Sequence, residues 1–390
     1  MKFKNISRSV VILGLVSFFT DFASEMLYPV TPIFLTTVLG ASMSLVGLIE
    51  GIAEVTAGLL KGYFGALSDK IGKRSIFIVI GYSLSGIVKS LPGLIVTVPT
   101  VIFSRVADRI GKGIRTAPRD ALLASYSNGN SGAVFGFHRG MDTLGAVIGP
   151  IVAIVLLYLF PGKYEWIYLF AVIPSLFAIA FTLTVKDKKG NTRSPGRKNY
   201  AYFWKTAPRE YKLLLVTLTL FSLINSSDVF LILKSKEIAH SDTMAILGYV
   251  FYNLIYALAS YPIGILADKF GKKNTFKAGL IIFSVVYLGF AVNQNFYLVW
   301  VLFTFYGIYA ASTEGVSKAW VSDLVPDEFR GTAIGLLTML SSFAVMIGSV
   351  LAGILWDSFG SQVPFYLSSA VSLLIVIFLF FLERKKIIKA

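Results

Sequence analysis

Charged side chains recur inside stretches that are otherwise apolar, where an unpaired charge costs about 3 kcal/mol even on lenient scales. Asp21 and Glu25 stand four residues apart in the first such stretch, and Glu50 and Glu54 repeat the spacing in the second. On a helix that spacing puts each pair on one face, and Ser17 and Tyr28 extend the first pair into a polar stripe. Crowded, poorly solvated carboxylates favour their protonated form. The four acids, with Asp142, are therefore candidates for exchanging protons near neutral pH. The fourth apolar stretch carries Arg105, Asp108, Arg109, Lys112, Arg115 and Arg119 at three- and four-residue steps, and the fifth adds His138, Arg139 and Asp142. Cations on a broad helical face can bind a carboxylate or phosphate through charge-assisted hydrogen bonds. They can equally pair with Asp120 and Asp142 in a structural gate. The positive groups outnumber the two local acids, which favours an anionic or zwitterionic ligand. In the later stretches Asn225 and Asp228 occupy a place similar to Ser24 and Glu25, and Glu314 and Lys318 read as a pair within one helix.

The elements that must carry these residues are long apolar helices. The chain has 390 residues, 55% of them hydrophobic. A hydrocarbon core of about 30 Å requires roughly 20 apolar residues per helix. Twelve stretches meet that condition: 9–37, 43–68, 75–94, 98–126, 132–160, 165–185, 212–235, 243–267, 276–293, 297–322, 330–356 and 362–383. The expected fold class is an all-α membrane protein with twelve transmembrane helices in two six-helix bundles, 1–185 and 212–390. A basic cytoplasmic linker, 186–211, joins them. The formal charge of +15 fits topology better than nucleic acid, because Lys and Arg gather in alternate loops. By the positive-inside rule both termini are expected in the cytoplasm. Tyr200 to Tyr211 mixes aromatic and basic residues and is expected to lie on the inner membrane surface.

Gly65-Ala-Leu-Ser-Asp69-Lys-Ile-Gly72-Lys73-Arg74 recurs as Gly264-Ile-Leu-Ala-Asp268-Lys-Phe-Gly271-Lys272-Lys273, at an offset of 199 residues. The same offset relates Gly136 to Gly335 and Gly149 to Gly348. Parallel repeats of this kind place a solute site near the bilayer midplane, between the halves. The repeated glycine–aspartate–basic loop resembles the signature of the major facilitator superfamily, and the resemblance covers the whole chain. Arg105 with Gly111, Gly113 and Pro118 is similar to the family's arginine–glycine motif, although Arg109 stands where glycine is usual. Gly145-Ala-Val-Ile-Gly149-Pro150 is similar to its antiporter motif, with Val152 and Ala153 replacing the expected glycines. The family implies that Asp69 and its basic neighbours latch a cytoplasmic gate while the site faces outward.

The expected function is secondary active transport of a small anionic or zwitterionic organic solute by proton-coupled alternating access. Its partners would be the solute, protons and the bilayer, acting on a functional monomer. One alternative is a proton-antiport exporter of lipophilic cations; another is a sensor or lipid-binding protein on a transporter scaffold. Two histidines and no cysteine leave no convincing metal site. The chain carries no phosphate-binding glycine loop, and no nucleophile motif points to an enzyme. No cofactor and no nucleic-acid partner are expected.

Overall fold

The computed structural model describes residues 6–28, 30–40, 43–188, 200–240 and 242–384. Among them the regular elements are all helices. The helices are α1 (Arg8–Leu27), α2 (Met43–Ile71), α3 (Ser75–Leu94), α4 (Val98–Ser125), α5 (Ser131–Leu159) and α6 (Tyr164–Thr182). After a short linker helix, Tyr200–Thr206, come α7 (Arg209–Ile224 and Val229–Ala239), α8 (Asp242–Phe270), α9 (Lys272–Val292), α10 (Phe296–Leu324), α11 (Arg330–Phe359) and α12 (Val363–Arg384). Among the described residues nine of these are long and apolar enough to cross a membrane.

The ends follow local chemistry. Ser7 caps α1 and Thr97 caps α4, each accepting a backbone N–H of the first turn. Past Leu27 the chain restarts as a short helix, Val30–Ile33, and a π-helical turn, Phe34–Val38; Pro29 lies outside the described residues. α7 is interrupted between Ile224 and Val229, with Asn225 closing its first part. Gly72 and Gly271, which follow α2 and α8, have φ of 73° and 90°, a conformation that glycine adopts without strain.

Contacts group the chain into two units. The first holds Met1–Asn128, Met141–Lys205 and Pro326–Met339; the second holds Gly129–Gly140, Thr206–Val325 and Leu340–Ala390. So α5 begins in the second unit and continues in the first, and α11 does the reverse. In the first unit α5 approaches α1 closely: a Cβ at Gly145 would stand 2.4 Å from the Phe18 carbonyl, and one at Gly149 would stand 2.7 Å from that of Phe22. Small residues at such crossings let backbones pack without a hydrophobic driving force. One apolar cluster of this unit joins Met26, Leu27 and Phe34 to Val101, Leu156 and Tyr168. The second unit is built around aromatic rings. Phe283 stacks on Tyr287 at 3.9 Å, and Tyr306 lies 5.0 Å from Tyr252 and 5.2 Å from Tyr309.

Candidate functional site

The first unit gathers charges from α1, α4 and α5. Ser17 of α1 donates to Asp142 of α5, and the Asp21 carboxylate lies against Asp142. Lys112 of α4 faces both Asp21 and Glu25, while Arg109 and Arg105 face Glu25. Arg105 also places its guanidinium 5.8 Å from the centre of the Tyr28 ring. Asp21, Glu25, Arg105, Arg109 and Lys112 are half-buried, and Asp142 is buried. The side chains of Glu50 and Glu54 lie outside the described residues.

The cations of α4 fall into two groups. Arg105, Arg109 and Lys112 form the half-buried group beside α1. Arg115 and Arg119, one and two turns further on, are buried and held by packing partners. Arg115 stacks over the Tyr82 ring at 4.4 Å and donates to Ser85 and to the Gly81 carbonyl. Arg119 pairs with Asp120 at 2.9 Å and donates to the Tyr82 hydroxyl at 3.2 Å and to Ser17 at 3.5 Å. It thereby reaches Asp142 through Ser17. Asp108 pairs with Lys89 of α3 at 3.4 Å, and both are buried. Lys89, Tyr82 and Ser85 were not singled out by sequence reasoning. A lone lysine in the apolar run 75–94 was the signal for the first; the other two read as ordinary packing residues.

The gate residues are arranged alike in both units. In the first, Asp69 accepts hydrogen bonds from the N–H groups of Gly331 (3.2 Å) and Thr332 (2.6 Å) and from the Thr332 hydroxyl (2.9 Å). The carboxylate thus caps the start of α11, where free N–H groups and the helix dipole favour an anion. Arg74 holds it at 3.1 Å and donates to the carbonyls of Ala121 and Asp327. A Cβ at Gly65 would stand 2.3 Å from the Gly331 carbonyl. In the second unit Asp268 accepts from the N–H groups of Gly132 (2.8 Å) and Ala133 (2.7 Å) at the start of α5. Lys272 holds it at 3.0 Å and also reaches Asp323 at 2.8 Å. A Cβ at Gly264 would stand 2.2 Å from the Gly132 carbonyl. Lys73 is exposed and Lys273 is buried.

Beside the first latch lies a cavity of about 260 Å³, lined by Ser68, Asp69, Arg74, Asp187, Lys188 and Asp327, among others. Asp187 accepts from the N–H groups of Arg74 (2.9 Å) and Ser75 (3.1 Å), so it caps α3. Lys188 donates to the Ser125 carbonyl at the end of α4 at 2.7 Å. In the linker helix Phe203 is buried, 5.4 Å from the Phe329 ring, while Tyr202 and Trp204 are exposed.

His138 is buried in the second unit, and Arg139 there pairs with Glu314 of α10 and donates to the Tyr256 hydroxyl. Asp228, at the interruption of α7, accepts from Tyr252 of α8 and from Tyr306 of α10. Asn225 is half-buried at the same interruption, beside it in the chain. Among the described residues no group of three or more His, Cys, Asp or Glu side chains is placed to hold a metal ion.

The Major Facilitator Superfamily sequence profile matches residues 13–245 and 213–389. An uncharacterized MFS-type transporter of Methanocaldococcus jannaschii is 35% identical over 386 residues, which span 97% of this chain and 96% of that protein. Among solved structures, the human organic anion transporter MFSD10 (TETRAN) aligns with a TM-score of 0.73 at 17% identity, covering 95% of this chain and 99% of its own. The E. coli fucose:proton symporter FucP aligns at 0.76 with 12% identity, covering 95% and 98%.

Proposed function

From the chain's membership of the major facilitator superfamily, a family of multi-pass membrane transporters, we propose that it moves a small anionic or zwitterionic organic solute by proton-coupled alternating access. The observation that carries this reading is the division of the α4 cations. Arg115 and Arg119 are accounted for by Tyr82, Ser85 and Asp120. Arg105, Arg109 and Lys112 instead line up, half-buried, beside Glu25 and Asp21. Three cations face three acids, Asp21, Glu25 and Asp142, so a proton on any one acid leaves a net positive field in a low-dielectric setting, which suits an anionic group on the solute. Protonation of Asp21 or Glu25 would release part of that field to the solute. A proton and an anion would then favour each other's binding, as linkage requires.

In this reading Asp21, Glu25, Glu50, Glu54 and Asp142 are the candidates that carry the proton. Arg105, Arg109 and Lys112 hold the solute, and Arg115 and Arg119 fix the helix that presents them. The chain works as a monomer in the cell membrane with both termini in the cytoplasm. The two bundles, 1–185 and 212–390, exchange the access of the site, and the 186–211 segment joins them.

The test is transport in proteoliposomes against a panel of organic acids, amino acids and lipophilic cations, with and without an imposed proton gradient. Accumulation of an anionic or zwitterionic solute, driven by the gradient and abolished by neutral amides at Asp21, Glu25 and Glu54 together, is the expected result. Unchanged gradient-driven transport in that triple variant overturns the coupling. Selective transport of lipophilic cations overturns the solute class.

A further inference from the structure

We propose that Asp228 is a second proton-carrying carboxylate, set in the second unit, whose protonation is passed to the packing of α10 by reversal of one tyrosine hydroxyl.

The geometry is specific. Asp228 stands where α7 is interrupted, just before Val229 restarts the helix. One of its oxygens accepts from Tyr252 of α8 and the other from Tyr306 of α10. Both donors are neutral phenols, and both are buried. The charged groups that face Asp228 are Arg139 of α5 and Glu314 of α10, and these two pair with each other. The carboxylate therefore lacks a cation of its own in a setting built of aromatic rings. A buried charge without a counter-charge is neutralised wherever chemistry permits, and the smallest neutralising group is a proton, which needs no cavity.

Protonation changes the hydrogen-bond count in a defined way. The ionised carboxylate accepts from two phenols. The acid keeps one acceptor oxygen and turns the other into a donor. One phenol must then give up its hydrogen bond to Asp228 and point its hydroxyl elsewhere. Tyr306 has a place to point it. Tyr287 of α9 is 1% exposed, its ring centre lies 6.3 Å from that of Tyr306, and its hydroxyl lies against those of Tyr306 and Ser226 without a well-aligned hydrogen bond to either. A buried phenol oxygen with only ill-aligned partners is costly, and a hydroxyl turned toward it from Tyr306 gives it a well-aligned donor. The proton balance is closed: a proton from water joins one oxygen of Asp228, that O–H donates to the Tyr306 oxygen, and the Tyr306 hydrogen rotates to the Tyr287 oxygen. No other bond is made or broken. Tyr252 and Tyr309, packed against Tyr306, would carry the change along α8 and α10.

The significance for transport rests on the proton-coupled reading, but the proposal can be tested without solute or flux. Infrared difference spectra of the reconstituted protein, taken between high and low pH, report carboxylic-acid and tyrosine modes directly. The wild type is expected to gain acid C=O bands together with tyrosine hydroxyl changes. Asp228→Asn is expected to lose one component of the acid bands and the tyrosine changes with it, and Glu25→Gln to keep both that component and the tyrosine changes. Tyr287→Phe, which leaves the carboxylate's own donors in place, is expected to keep the acid band and lose the Tyr306 change. An Asp228→Asn spectrum that matches wild type at every pH overturns the proposal. So does a tyrosine signal unaffected by both Tyr287→Phe and Tyr306→Phe. Should Asp228→Asn not fold, the two phenylalanine variants decide it. A titrating Asp228 in a protein without gradient-driven flux would overturn the coupling reading and leave this one standing.

Discussion

The latch at Asp69 and the latch at Asp268 share a backbone plan and differ in what closes them. In each, a glycine on the entering helix brings two backbones together, and an aspartate four residues later caps the N-terminus of the crossing helix. The first is sealed by Arg74, a buried guanidinium that also ties down two carbonyls. The second is held by Lys272, shared between Asp268 and Asp323 and more open to solvent. The basic residue has also shifted: the repeat equates Arg74 with Lys273, yet Lys272, the counterpart of exposed Lys73, does the holding. A planar fork suits a buried carboxylate with several acceptors around it, whereas a point charge can be shared between two. The repeat therefore conserves the crossing and varies its strength, with the first latch the firmer.

Five substitutions test that contrast, read as thermal unfolding of the detergent-solubilised protein. Labelling of a thiol at Ser68→Cys or Ala267→Cys gives a second readout. These two equivalent positions are fully buried, and the chain has no cysteine of its own. Asp69→Asn is expected to have the largest effect, a loss of about 3 kcal/mol, because it leaves Arg74 buried without its partner; labelling at 68 should rise sharply. Gly65→Ala and Gly264→Ala should each cost about 2 kcal/mol by forcing the helices apart, and to the same degree. A marked difference between them would break the claim of a shared crossing. Lys272→Met should cost about 1 kcal/mol, since its carboxylates remain near solvent, and should raise labelling at 267 only. Lys73→Met should change neither readout. A Lys73 effect as large as that of Lys272 would remove the asymmetry.

Much of the frame was legible in the chain, because span length is set by the bilayer and the 199-residue repeat is a property of letters alone. The interruption of α7 between Ile224 and Val229 was not, since no proline or glycine marks it. The gate glycines and aspartates were legible as a motif. Their partners at Gly331 and Gly132 were not, because those contacts join residues far apart in the sequence. The α4 cations were visible as a set, but their division was hidden. It depends on Tyr82 and Ser85, two common residues whose role follows only from where α3 packs. Asp228 was visible as an intramembrane acid; its phenol donors come from two other helices and carry no sequence mark.

The composition of the first unit has a bearing on biosynthesis. That unit includes Pro326–Met339, so the ribosome completes it only after translating the whole of Thr206–Val325. Until then Asp69 waits in the nascent protein without the Gly331 and Thr332 amides it caps. The second latch meets no such delay, because Gly132 and Ala133 precede Asp268 in the chain. The firmer latch is thus the later one to form, and translation that stops before α11 leaves the Asp69–Arg74 pair without the helix start it caps.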